Sequence, residues 1–141
     1  MRVDPARIRQ YLIEITRNSR ELQKIVGGGR MAPDSTELRA AKYLLIELAE
    51  AMSNCLQHLL AKQKGIAVSG YIDTIAKSRK EGILSEDLFS RLKPFFDFRN
   101  SLIHRYWTID DGKLIENIKA GQNDFDRFAD EIEAYLASIC Q

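Results

Sequence analysis

The segment Arg99-Asn100-Ser101-Leu102-Ile103-His104-Arg105-Tyr106 holds the residues of this chain best suited to chemistry. His104 can take and give a proton near neutral pH, because an unperturbed imidazole titrates at about 6.5. Arg99 carries a permanent charge on a planar fork of donors that matches the oxygens of a phosphate. A helical wheel at about 100° per residue puts Leu92, Phe95, Leu102 and Ile103 on one face, with Arg99 in the middle of it. A guanidinium does not belong in an apolar stripe unless it is paired or opens onto a cleft. The bland reading is a buried Arg paired with a carboxylate from another helix. His104 lies on a different side, about 140° from Arg99 on a straight helix. The two converge if the helix ends or bends near His104, or if a second copy supplies one of them. The run Trp107-Thr108-Ile109-Asp110-Asp111-Gly112 predicts a helix end close by.

The remaining chain reads as the helices that must position this segment. A first helix is predicted from about Asp4 to Val26, with Asp4 as N-cap, Pro5 in the first turn and Gly27-Gly28-Gly29 as its stop. That glycine run is a turn; it lacks the Lys-Ser/Thr ending and preceding strand of a phosphate loop. A long second helix starts at Asp34 or Ser35 and ends near Lys64-Gly65. It carries Leu38, Leu45, Met52 and Leu59 seven apart, with Ala41, Leu48 and Cys55 completing the seam of a packed bundle. His58, on this helix, is expected at the surface or rim. Residues 66–90 are expected to be short helical pieces. A further helix carries Leu92, Phe95, Phe96, Phe98, Leu102 and Ile103, with Pro94 in its first turn or at a kink. A short helix through Leu114 and Ile118 follows, and a last helix capped by Asn123 or Asp124 bears Phe125, Phe128, Ile132 and Leu136. The expected fold is all-α: an antiparallel bundle of four to five main helices in one domain, residues 1–141.

Composition narrows the function classes. With 21 basic and 20 acidic side chains, a broad cationic surface is not expected, so any nucleic-acid site must be local. Cys55, Cys140, His58 and His104 lack metal spacing, and no metal or cofactor is expected. The N-terminus lacks a signal peptide's apolar core, and no stretch reaches the ~18 apolar residues of a membrane span, so a cytoplasmic protein is expected.

Arg99-x-x-x-x-His104-x-Tyr106 resembles the R-x4-6-H-x-Y signature of HEPN ribonucleases. The text around it resembles their HepT toxin branch: a first helix of this length, a long second helix like Ala40-Ala41-Lys42-Tyr43-Leu44, and a motif followed by Tyr106-Trp107 and an acidic turn. The likeness covers nearly the whole chain. It implies a homodimer whose two motifs face each other in a cleft, with Arg99 and His104 as the catalytic pair of a metal-independent endoribonuclease. It also implies a partner, an MntA-like nucleotidyltransferase antitoxin that transfers AMP to the motif tyrosine, here Tyr106. The residue types suit such a reaction. His104 moves the protons, Arg99 stabilises the crowded phosphorane oxygens, and the 2′-hydroxyl selects RNA over DNA. Asn100 is expected to orient His104 or bind a phosphate, and Tyr106 to stack on a base or bind phosphate. Arg91, Lys93 and Arg105 are expected to form the RNA-binding rim. The competing reading is a non-catalytic helical module that binds a nucleotide or docks a nucleotidyltransferase. The intact Arg99/His104 pair speaks against it.

Overall fold

A computed structural model describes residues 2–104 and 109–139. They form six helices in the order α1 (Pro5–Gly28), α2 (Thr36–Lys64), α3 (Tyr71–Lys80), α4 (Glu86–His104), α5 (Asp111–Gly121) and α6 (Asp124–Ile139), with no strand among them. Local chemistry sets the ends. Asp4 caps α1 by accepting the Arg7 N–H, and Pro5 opens it. Gly29 alone takes the left-handed conformation, φ +69°, that closes α1; Gly27 and Gly28 remain helical. Ser35, not Asp34, caps α2 by accepting the Leu38 N–H. Gly65 closes α2 at φ +67°.

The helices α1 and α2 run antiparallel, since the start of α1 meets the end of α2 where the Asp4 N–H donates to His58. α1 and α6 are also antiparallel, with Gln23 near the end of α1 bonded to Asp126 near the start of α6. α4 packs across α2 and α6, and α3 and α5 lie against it. The predicted seam of α2 is buried throughout: Leu38, Ala41, Leu45, Leu48, Met52, Cys55 and Leu59. Ala49, Ala51, Ser53, Leu56 and Leu60 are buried too, so from 48 onward α2 is enclosed on most sides. A two-position seam underestimates this, because α1 covers one side of α2 while α3 and α4 cover another. The Cys55 thiol sits in the core, where burial pushes its pKa up to about 12, so it remains a protonated, inert hydrophobe. Cys140 lies outside the described residues.

One expectation needs correction and another is narrowed. His58 is not at the rim. It is buried, and its neutral Nε2 accepts the backbone N–H of Asp4 at 3.0 Å. Of the two placements expected for Pro94, the first turn is excluded, since it stands well inside α4. The missing proline N–H would have bonded Ser90, and both residues line a groove open to solvent, where water can satisfy the freed carbonyl.

Candidate active site

The site is built on the C-terminal half of α4. Leu92, Phe95, Phe96 and Phe98 are buried and fix the rotation of this helix. Phe95 packs on Phe125 of α6 with ring centroids 4.9 Å apart, and Phe96 packs on Phe89 and Tyr71. Upstream, Arg127 of α6 donates to Asp87 at 2.6 Å, and Ser85 donates to Glu131 through both its backbone N–H and its hydroxyl. With the helix held in this way, Arg99 points toward α2 and α3.

Arg99 has the carboxylate partner expected of a guanidinium in an apolar stripe, and it is Glu50 of α2. Both Nε and Nη2 lie 3.0 Å from the same oxygen, Oε1. The guanidinium also lies over the Tyr71 ring, 4.1 Å from its centroid. Its side chain is 18% exposed and that of Glu50 is 48% exposed, so the pair sits at the rim of the bundle. The Nε/Nη2 edge of the fork is therefore occupied, and among the described residues no partner meets Nη1, whose donors suit a further anion. The Tyr71 hydroxyl is buried and has no hydrogen-bond partner among the described residues. Burial pushes the pKa of this phenol upward, against the opposing pull of Arg99, so it stays neutral.

Asn100 is half-buried and lines a cavity of about 300 Å³ between α3 and α4, shared with Tyr71, Phe89 and Phe96. Lys93 lies on the same side of α4, pairs with Asp97 at 2.6 Å and reaches both this cavity and the groove toward α5. Arg91 is directed elsewhere, to Asp87 and to Asp124 of α6, about two turns before Arg99 on α4. Desolvation raises the pKa of Asp124, opposed by Arg91 and Arg127. The backbone of His104 belongs to α4, five residues after Arg99. Its side chain, together with Arg105 and Tyr106, lies outside the described residues. No group of three or more His, Cys, Asp or Glu residues with a metal-holding arrangement occurs among the described residues, and no described helix is long and apolar enough to cross a membrane.

Sequence reasoning missed Glu50 and Tyr71. A signal for Glu50 was present, since it stands between Ala49 and Ala51, small residues that let another helix approach α2 closely. Nothing in the sequence pointed to Tyr71.

Comparison with known proteins places the chain in a family and a fold. The sequence profile described as "Ribonuclease HepT-like" matches residues 7–132. No curated protein sequence matches the chain significantly. Among solved structures, a tri-AMPylated HEPN toxin of Shewanella oneidensis in complex with an MNT antitoxin superposes with a TM-score of 0.79 at 20% identity, covering 91% of this chain and 97% of that one. YutE of Bacillus subtilis, described as a cytosolic protein of unknown function, superposes at 0.78 with 20% identity, covering 96% of this chain and 92% of its own. A tyrosine-to-alanine variant of an MntA–HpeT toxin–antitoxin complex superposes at 0.78 with 19% identity, covering 91% and 98%. These likenesses establish a shared all-helical fold. The profile spans most of the length, and by it the chain belongs to the HepT-like ribonuclease family.

Proposed function

We propose that this chain is the toxin of a HEPN/MNT toxin–antitoxin system: a metal-independent endoribonuclease, active as a homodimer, neutralised when a nucleotidyltransferase attaches AMP to Tyr106. The observation that carries the reading is the setting of Arg99. Its guanidinium is oriented on one edge by Glu50 and on one face by Tyr71, with no partner on the other edge among the described residues, about 1.4 turns from His104 on the same helix. A fixed donor fork at a bundle rim suits a scissile phosphodiester, whose charge grows as the 2′-hydroxyl attacks. His104 serves as the base that takes the 2′-hydroxyl proton and the acid that returns one to the departing 5′-oxygen. The solved relatives in complex with MNT or MntA antitoxins, one of them tri-AMPylated, support the partner and the modification. AMP on Tyr106 would add bulk and negative charge where an RNA phosphate must sit.

The Arg99–Glu50 pair is also what a purely structural arginine would show, and this keeps the non-catalytic module as the second reading. Purified protein incubated with total cellular RNA separates the two. Cleavage lost in His104→Ala, with an unchanged melting curve, is the expected result; equal cleavage by variant and wild type sinks the enzyme. Co-expression with the antitoxin and ATP should add one or more AMP masses, abolished in Tyr106→Phe. Light scattering at micromolar concentration should give a dimer, and a monomer would rule out a shared cleft.

A further inference from the structure

From the cavity beside Arg99 we infer a subsite for one nucleobase of the bound strand, flanking the phosphate that Arg99 holds; it rests on the ribonuclease reading above. The cavity, about 300 Å³, is at the small end of ligand pockets, roughly 300–1,000 Å³, and suits a single flat ring system. Its walls are aromatic and aliphatic: Tyr71, Ile75, Phe89 and Phe96 contribute, and the 61% exposed Ile72 forms a lip. Its polar side chains are Asn100, Lys93 and Asp97 of α4, Arg79 at the end of α3 and the Tyr71 phenol at its start. Asn100 offers both a donor and an acceptor, the pattern that reads a base edge, while at the mouth Lys93 is paired with Asp97 and Arg79 with Glu86.

Position makes the cavity more than an apolar dent. Tyr71 is common to both places: one face of its ring lies against the Arg99 guanidinium, and the residue also lines the cavity. A phosphate on the edge of Arg99 away from Glu50 and a base in the cavity are therefore one residue apart in the protein, as they are one sugar apart in a nucleotide. Asn100 follows Arg99 directly, so the phosphate contact and the base contact are fixed by the same turn of helix. Base stacking on aromatic surface is worth roughly 10- to 100-fold in affinity per base, and the Tyr71 hydroxyl in this neighbourhood has no partner among the described residues.

The test uses a short RNA with a mapped cleavage site and two copies carrying an abasic ribose on one side or the other of that site. Wild type should lose roughly 10- to 100-fold in kcat/KM for one abasic strand. Ala76→Trp fills the cavity from its exposed wall; it should cut the intact RNA that much more slowly and become indifferent to the missing base. Ala76→Gln serves if the Trp variant melts abnormally. Wild type indifferent to both abasic strands, or a filled variant as base-sensitive as wild type, overturns the subsite and leaves the nuclease standing. If wild type cuts no RNA, the nuclease reading fails by itself. The same strands in equilibrium binding then decide the subsite: base-dependent affinity lost in the filled variant supports it, and equal affinities overturn it. A filled variant that changes the number of protomers in solution assigns the cavity to a contact between copies and overturns the base assignment.

Discussion

Gly121→Ala should destabilise the protein although it adds a better helix former. Gly121 is the last residue of α5 and has no left-handed backbone to lose. A Cβ there would stand 2.8 Å from Phe95 Cε2, 2.9 Å from Cζ and 3.3 Å from an Asp124 carboxylate oxygen. The Phe95 ring is 2% exposed and rests against the fully buried Phe125, so it has nowhere to retreat. Overpacking of this kind costs about 1–3 kcal/mol. Replacing glycine in a helix interior returns at most about 1 kcal/mol, and less at a terminal position. The net loss should be about 1–2 kcal/mol, lowering the thermal midpoint of a domain this size by roughly 3–10 °C. Thermal melts followed by circular dichroism read this directly. Phe95→Leu should relieve the clash, so the double variant should lose less than the sum of the two single losses. A Gly121→Ala protein that melts at or above wild type would refute the claim that Phe95 is held in place. Because Phe95 lies one turn before Arg99, its displacement should also slow RNA cleavage at temperatures where the variant is folded.

His58 gives a pH dependence with a definite sign. Desolvation first, then the charges of Arg7 and Lys62, lower its pKa against the opposing pull of Asp4, so the folded protein binds fewer protons than the unfolded one. Its contribution should be complete above about pH 6.5 and fall as pH drops below that value; His58→Ala should cost about 1–3 kcal/mol near neutrality and flatten the slope of urea midpoints across this range, and an unchanged slope would count against the assignment. Asp111 works the other way: the Lys42 hydrogen bond and the Asp34 N–H depress its pKa, so its stabilisation is present above about pH 3.9 and lost as pH falls through the depressed value. Asp111→Asn should cost about 1 kcal/mol at pH 7 and weaken the acid dependence of the melting point. Arg99→Lys keeps the charge but loses the fork and the stacking on Tyr71, so cleavage should fall by about 100-fold or more while the melting point barely moves. Glu50→Gln should lower kcat more than it changes KM, with Glu50→Asp recovering part of the loss; a change confined to stability would make Glu50 merely structural.

What the sequence made legible was local or periodic. Asp4, Pro5, Ser35 and Gly65 act within one turn of their own positions, so the helix ends were readable to within a few residues. The α2 seam was readable because burial repeats at seven. His58 was misplaced because its partner is a backbone N–H 54 residues away, which no side-chain pattern advertises. The sequence left two placements open for Pro94, because the cost of a proline inside a helix depends on whether the carbonyl it frees meets water, a tertiary fact. At the site, the anomaly of Arg99 in its apolar stripe announced that a carboxylate or a cleft must face it. Which carboxylate, and the aromatic ring behind it, depended on how α2 and α3 pack around α4.

The anchoring of α4 is uneven along its length. Ion pairs and hydrogen bonds to α6 gather around Ser85, Asp87 and Arg91, whereas Arg99, about 16 Å further along, is steadied laterally by one carboxylate and one ring. The buried Leu92, Phe95, Phe96 and Phe98 hold the helix along the same length, so it can shift only together with the rings packed on it. A tilt of about 5° set at the α6 end would move the guanidinium by roughly 1.4 Å over that span, a displacement of the size that costs about 100-fold in rate when catalytic groups are misplaced. Substitutions at Arg127 or Glu131, whose described partners do not include Arg99, thus have a mechanical route to catalysis through the helix itself.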